Sequence, residues 1–247
     1  MFSSQTLGEL VGQDSGRGYV LYNFGIRFYE NVGTTLEDAC TQLGLKPEPI
    51  IEELSSGPSI ADDALKFKTY PVNLIIEYLK HSHSVFIKSK LPYIGNLVKT
   101  FRATHADYTS IEKDLKILFP LFAQDFIQHI YHEEDTLFTY IQQLENATFK
   151  ILNYGQLYLE MEKYSLQMFA SEHEVHDDEM EGIRKITKNY HLAEHAPLQV
   201  KVIYYELMQF EKNLQTHAQI ENEILFPKAM QIESRVRKAL GEKIRFN

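Results

Sequence analysis

Residues 129–138 read HIYHEEDTLF, and residues 217–226 read HAQIENEILF. The two stretches share the pattern His-x-x-x-Glu-x-x-x-Leu-Phe and begin 88 positions apart. On an α-helix, residues four apart lie about 40° from each other around the axis and about 6 Å along it. The pattern therefore predicts two helices, each of which directs one imidazole and one carboxylate at a single point.

Hydrophobic residues flank both His-Glu pairs at helical spacing, as Phe126 and Leu137 do in the first stretch and Leu214 and Leu225 in the second. Both pairs are therefore expected on the apolar face of a helix. A carboxylate buried there without a partner costs several kcal/mol and normally neutralises or binds a cation. Since neutral imidazole and carboxylate are both good ligands, the two pairs favour a metal site.

Two single histidines extend this repeat. His83 and His173 are 90 positions apart, and each precedes a His-Glu pair, by 46 and 44 residues. Each half of the repeat then consists of a helix with one histidine, a loop and a helix with a pair, which suits an antiparallel hairpin. Two hairpins make a four-helix bundle, whose interior commonly holds metal sites. The sequence thus predicts an all-α four-helix bundle.

Glycine and proline are sparse after residue 60, whereas SSGPS at residues 55–59 is the clearest break in the chain. Before the break, TLGELV, GYVLYNFGI and TLEDACTQLGL resemble short amphipathic helices with glycine-marked turns. We therefore predict a small helical domain over residues 1–58 and the bundle over residues 59–247. Pro92 is placed to kink the first bundle helix.

Composition limits the classes of function. The net charge is −9, from 34 acidic and 25 basic residues, and nucleic-acid binding would need a concentrated basic face. No apolar run approaches the roughly 20 residues that span a bilayer, and the N-terminus does not resemble a signal peptide. Cys40 is the single cysteine, which excludes an internal disulfide. We expect a cytoplasmic protein with neither a nucleic-acid nor a membrane partner; the sequence leaves its oligomeric state open.

The combined donor set is four histidines and two glutamates: His83, His129, Glu133, His173, His217 and Glu221. If both carboxylates bridge and an oxo or hydroxo group is shared, each of two metal ions is about five-coordinate. An open position on each ion would suit a small ligand or redox chemistry. Mixed nitrogen and oxygen donors favour iron, then manganese, whereas a structural zinc site would have about four ligands and often cysteine.

Two further histidines leave alternatives open. His81 lies about 200° around the helix from His83, and it becomes the first-helix ligand if that helix is rotated or kinked. His176, one turn beyond His173, either supports a ligand by hydrogen bonding or lies in solvent.

The same segments resemble a known family, the hemerythrin-like iron–sulfur cluster repair di-iron proteins of the RIC type. The resemblance covers nearly the whole chain and rests on four segments: HSVFIKSKLP, HIYHEEDTLF, SEHEVHDDEMEGIRKIT and HAQIENEILFPKA. It implies a hemerythrin-like four-helix bundle preceded by a small helical domain. It also implies a non-haem centre of two iron ions, held through the six residues His83, His129, Glu133, His173, His217 and Glu221.

The chain departs from the family pattern in three places. Thr139 stands where proline is usual, and His83 and Ser84 occupy the places of two adjacent histidines in the first helix. In the N-terminal domain, Tyr29 and Glu30 replace paired cysteines. Any role of those thiols in chemistry or redox sensing cannot be carried over to this chain.

Three functions follow as hypotheses. The resemblance implies a stress-response protein that repairs iron–sulfur clusters or supplies iron to them, and that contacts client proteins through the N-terminal domain. The alternative is reversible binding of dioxygen or nitric oxide, for sensing or storage without repair. The third is a scaffold whose metal only stabilises the bundle. Because binding and redox di-iron sites share the same ligands, the motifs leave open whether the protein is an enzyme.

Overall fold

The computed structural model describes residues 2–56, 67–149, 154–170 and 178–245. Within these ranges the regular structure is helical, apart from one isolated antiparallel bridge between Thr6 and Thr35. The predicted all-α class is confirmed. In the same ranges, no helix combines the length and the apolar composition needed to cross a bilayer.

The helices alternate with short turns along the chain. They include α1 (Leu7–Gln13), α2 (Arg17–Asn23), α3 (Leu36–Leu43), α4 (Pro47–Ser56), α5 (Val72–Val85), α6 (Leu91–Thr100), α7 (Thr109–Glu133), α8 (Thr139–Phe149), α9 (Tyr154–Lys163), α10 (Glu181–Ile186), α11 (Leu198–Ile220) and α12 (Phe226–Arg245). Three five-residue π-helical turns join successive helices: Phe86–Lys90, Glu134–Phe138 and Glu221–Leu225. Two 3₁₀ turns cover Phe2–Ser4 and Ala106–Tyr108.

The chain forms two compact units. Unit 1 comprises Met1–Asp62, Lys88–Leu121 and Met180–Lys212, and unit 2 comprises Asp63–Ile87, Phe122–Glu179 and Asn213–Asn247. The sequence predicts a different division, into domains 1–58 and 59–247. That division stays a prediction, because residues 57–66 lie outside the described ranges.

Local sequence fixes the short helices of unit 1. Thr6 and Glu9 form a reciprocal capping box at the start of α1, with the Glu9 backbone N–H donating to the Thr6 hydroxyl at 3.2 Å. Thr35 caps α3 in the same manner by accepting from Asp38. The helix α3 ends at Gly44, whose φ of 67° is a left-handed conformation that favours glycine.

Helix α2 packs on α6 within unit 1. The Asn96 side-chain amide donates to the Tyr22 hydroxyl at 3.0 Å, and the Tyr22 and Tyr93 rings lie 4.7 Å apart. The hydroxyls of Tyr19 and Ser89 are 2.7 Å apart, which extends this contact to the π turn before α6. The N-terminal helices therefore share polar and aromatic contacts with a later segment of the chain.

A hydrophobic core holds unit 2 together. Its fully buried members lie on α5, on α8, and on the last π turn with α12: Ile75, Ile76, Leu79, Ile141, Leu144, Leu225 and Ala229 are among them. The Tyr140 hydroxyl crosses this core to donate to the Glu233 carboxylate at 2.8 Å. This packing fixes the positions of the helices that carry the site residues.

Candidate metal centre

Four predicted ligands meet inside unit 2. His83 lies on α5, Glu133 is the last residue of α7, and His217 and Glu221 lie at the junction of α11 with the third π turn. Each contributes one ligand atom, and these atoms all lie within 4.8 Å of one another. Three separate stretches of the chain therefore direct imidazole and carboxylate groups at a shared point.

The contacts within this group are short. The Nε2 atoms of His83 and His217 are 2.9 Å apart, and His83 Nε2 is 3.5 Å from the Glu133 carboxylate. His217 Nε2 lies 3.0 Å from the carboxylate of Glu221, four residues later on the chain. The predicted one-turn spacing of this His-Glu pair is thus present in the structure.

Burial controls the charge state of the site. His83 is 2% exposed, Glu133 5% and Glu221 0%. Burial, with help from His217, lowers the pKa of His83, although Glu133 and Glu134 act in the opposite direction. His83 is therefore held neutral near pH 7, which is the form of imidazole that binds a metal.

This donor set fits a divalent transition metal. Two neutral imidazoles and two carboxylates supply nitrogen and oxygen ligands, and the described residues of the group include no thiolate. A bound cation would also offset the charges of two buried carboxylates, which is expensive to do in an apolar interior by other means.

Each π turn lies next to a site residue. The first begins three residues after His83, the second directly after Glu133, and the third at Glu221 itself. A π turn adds one residue to a helix, and such turns are frequent at functional sites. The apolar stripes before and after it are consequently out of phase.

Proline and threonine accompany these turns. Pro92, predicted to kink the first helix, follows the first turn closely and cannot donate a backbone hydrogen bond to it. Pro227 follows the third turn. After the second turn, Thr139 replaces the family's proline and donates its hydroxyl to the Glu134 carbonyl at 3.0 Å.

The structure does not bring all six predicted ligands together. His129, one turn before Glu133 on α7, is half-buried and is not part of the four-residue group. His173 and His176 fall in residues 171–177, outside the described ranges. Between the two candidates on α5, His83 is buried in the group, whereas His81 is exposed.

Sequence reasoning missed two residues that contact His83. The carboxylate of Glu134 lies 2.8 Å from His83 Nδ1, and the Phe138 ring stacks nearly parallel on the imidazole. In a regular α-helix, Glu134 would point about 100° away from Glu133. The available signal was the phase change of the apolar stripe after Glu133, together with Thr139 in place of proline.

No protein-family model matches the chain. Curated relatives carry the name "Iron-sulfur cluster repair protein YtfE". Those from Yersinia pseudotuberculosis serotype O:1b (strain IP 31758) and serotype O:3 (strain YPIII) are each 22% identical to this chain over 199 residues, which cover 81% of it and 84% of the relative. The relative from Yersinia pestis (strain Pestoides F) is 21% identical over the same shares.

These relatives match most of the chain at both levels, in length and in the segments that carry the His-Glu pairs. The resemblance of this chain to the iron–sulfur cluster repair proteins, inferred from its motifs, is confirmed.

Proposed function

We propose that this protein is a hemerythrin-like, non-haem di-iron protein that repairs stress-damaged iron–sulfur clusters or supplies iron to them. The observation that carries the proposal is the buried convergence of His83, Glu133, His217 and Glu221 in unit 2. The name of the relatives supports the repair role.

The ligand assignment extends beyond the four converging residues. His83, Glu133, His217 and Glu221 would hold the metal, and His129 and His173 would complete the set for a second ion. The position of His129 one turn before Glu133, on the same helix, supports this extension. When bound, two irons with open coordination positions supply reversible oxidation and binding of small ligands.

A specific observation favours the second candidate, reversible dioxygen or nitric oxide binding without repair. Cys40, the single cysteine of the chain, is buried, and burial together with Glu48 raises the pKa of its thiol. A buried thiol with a raised pKa is a poor nucleophile. Tyr29 and Glu30 occupy the places of the family's cysteine pair, so any repair by this chain proceeds without those thiols.

The first test is metal analysis with an absorption spectrum of the aerobic protein. We expect about two irons per chain and the bands of an oxo-bridged diferric centre. His217→Ala and His129→Ala should each lose at least half of the iron, because each removes a ligand from a buried site. His81→Ala is the matched control, since His81 is exposed on the same helix as His83. Wild-type iron content in both ligand variants would refute the assignment.

A second experiment separates the two functions. Purified iron-loaded protein is added to a cluster enzyme that nitric oxide has inactivated, and recovery of that enzyme's activity is followed. Recovery with the wild type and none with His217→Ala supports repair. Tight, reversible nitric oxide binding without recovery supports the gas-binding alternative.

A further inference from the structure

His83 has a different partner on each of its two ring nitrogens. Nε2 faces the ligand group, at 2.9 Å from His217 and 3.5 Å from Glu133. Nδ1 lies 2.8 Å from Glu134 Oε1. Because a carboxylate oxygen accepts, Nδ1 carries the proton that it donates to Glu134, and the lone pair of Nε2 is directed into the site.

We propose that Glu134 is a positioning residue that fixes the tautomer and the orientation of His83 for metal binding; the inference rests on the metal site proposed above. A ligating histidine commonly donates its other ring N–H to a carboxylate, which fixes the ring and raises its basicity as a ligand. Glu134 stands outside the four-residue group, so it acts through His83 and not as a ligand.

Phe138 fixes the same ring from its face. The Phe138 and His83 ring centroids are 5.7 Å apart with an angle of 6° between the planes, and Phe138 is fully buried. A stacked ring restricts rotation of the imidazole about its χ2 angle, while the Glu134 hydrogen bond distinguishes the two flipped orientations. The two contacts therefore remove different freedoms of the same side chain.

One structural element supplies both contacts. Glu134 and Phe138 are the first and last residues of the second π turn. The turn lets two consecutive glutamates touch one imidazole from different sides, Glu133 at Nε2 and Glu134 at Nδ1. A regular α-helix would separate their side chains by about 100°. This gives the π turn a specific task, the support of His83.

The test compares Glu134→Ala, Glu134→Gln and the control Asp135→Ala, which removes the same charge from the neighbouring, exposed position. Ferrous iron affinity is measured by competition with a chelator. Removing a carboxylate behind a metal-binding histidine typically weakens affinity by about 10- to 100-fold. We expect that loss in Glu134→Ala, a smaller loss in Glu134→Gln, whose amide oxygen still accepts from Nδ1, and wild-type affinity in Asp135→Ala.

A second measurement needs no metal. The ¹⁵N chemical shifts of His83 in the apo protein, assigned by their loss in His83→Gln, report which ring nitrogen is protonated. The wild type should show the Nδ1–H tautomer, and Glu134→Ala a mixture of both tautomers. A charge or folding effect would not change this ratio.

The two measurements separate failure of this inference from failure of the proposed function. Wild-type protein that does not bind iron would refute the metal site, whatever the tautomer of His83. Iron-binding wild type with equal affinity in Glu134→Ala and Asp135→Ala, or an unchanged tautomer in Glu134→Ala, would overturn the positioning role alone.

Discussion

Glu206 and Lys90 form a buried ion pair in unit 1, and we predict that Glu206→Gln changes how the stability of the protein depends on pH. The Lys90 ammonium lies 3.5 Å from the Glu206 carboxylate and 3.3 Å from the centroid of the Tyr19 ring. Glu206 is 1% exposed. The pair therefore connects α11 with the π turn before α6 and, through the ring, with α2.

The magnitude follows from the pKa of Glu206. Burial raises this pKa from 4.5 to about 6, although Lys90 acts in the opposite direction. Tyr93 and Tyr205 also face the carboxylate, and burial raises the pKa of both phenols, so neither titrates between acidic and neutral pH. A shift of about 1.5 pKa units corresponds to about 2 kcal/mol.

The sign follows from proton linkage. Because the folded protein holds the Glu206 proton more tightly than the unfolded chain, protonation favours folding. The contribution is fully present below the unfolded-state pKa of 4.5. It is lost as pH rises to about 6, the folded-state value. In Glu206→Gln the position cannot ionise, so this loss of about 2 kcal/mol should disappear.

The assay is urea unfolding followed by circular dichroism at several pH values between about 4 and 7. The free energy of unfolding of Glu206→Gln relative to wild type should increase by about 2 kcal/mol across that range. Glu53→Gln is the matched control, since Glu53 is exposed in the same unit and its replacement should leave the pH profile unchanged. A Glu206→Gln difference that does not vary with pH would refute the reasoning.

Two further predictions concern packing. In Gly18→Ala, the new Cβ would lie 2.6 Å from the Tyr93 hydroxyl, so we expect a loss of about 1–3 kcal/mol in urea unfolding. Gly12→Ala, whose Cβ would have no neighbour closer than 4.0 Å, is the control, and equal effects of the two variants would contradict the clash. Tyr140→Phe removes the hydrogen bond to Glu233 across the core of unit 2 and should cost about 1 kcal/mol in thermal unfolding. An unchanged unfolding midpoint in Tyr140→Phe would show that this bond contributes nothing net.

The sequence predicted well what depends on local geometry. The His217–Glu221 pair needs only the four-residue spacing of a helix to face one point, and the structure has its imidazole and carboxylate 3.0 Å apart. The selection of His83 over His81 was open from sequence, because it depends on the rotation of α5 about its axis. Packing of the apolar stripe on α5 against the core of unit 2 sets that rotation.

The roles of Glu134 and Phe138 were not predicted, because they depend on a π turn. Reasoning with 3.6 residues per turn keeps one phase along the whole helix and places Glu134 away from Glu133. One additional residue in the turn changes that phase, and both glutamates then contact His83. The cost of irregular helical hydrogen bonds is offset by tertiary contacts that a local pattern does not contain.

The sequence by itself determined the helical class, the donor types and the metal chemistry that these donors favour, because periodicity and side-chain type are properties of short stretches. Only the tertiary structure decided which donors meet, which nitrogen of His83 faces the site and which glutamate supports it. Those outcomes depend on the register and rotation of helices far apart in the chain, and close packing of the whole core sets both.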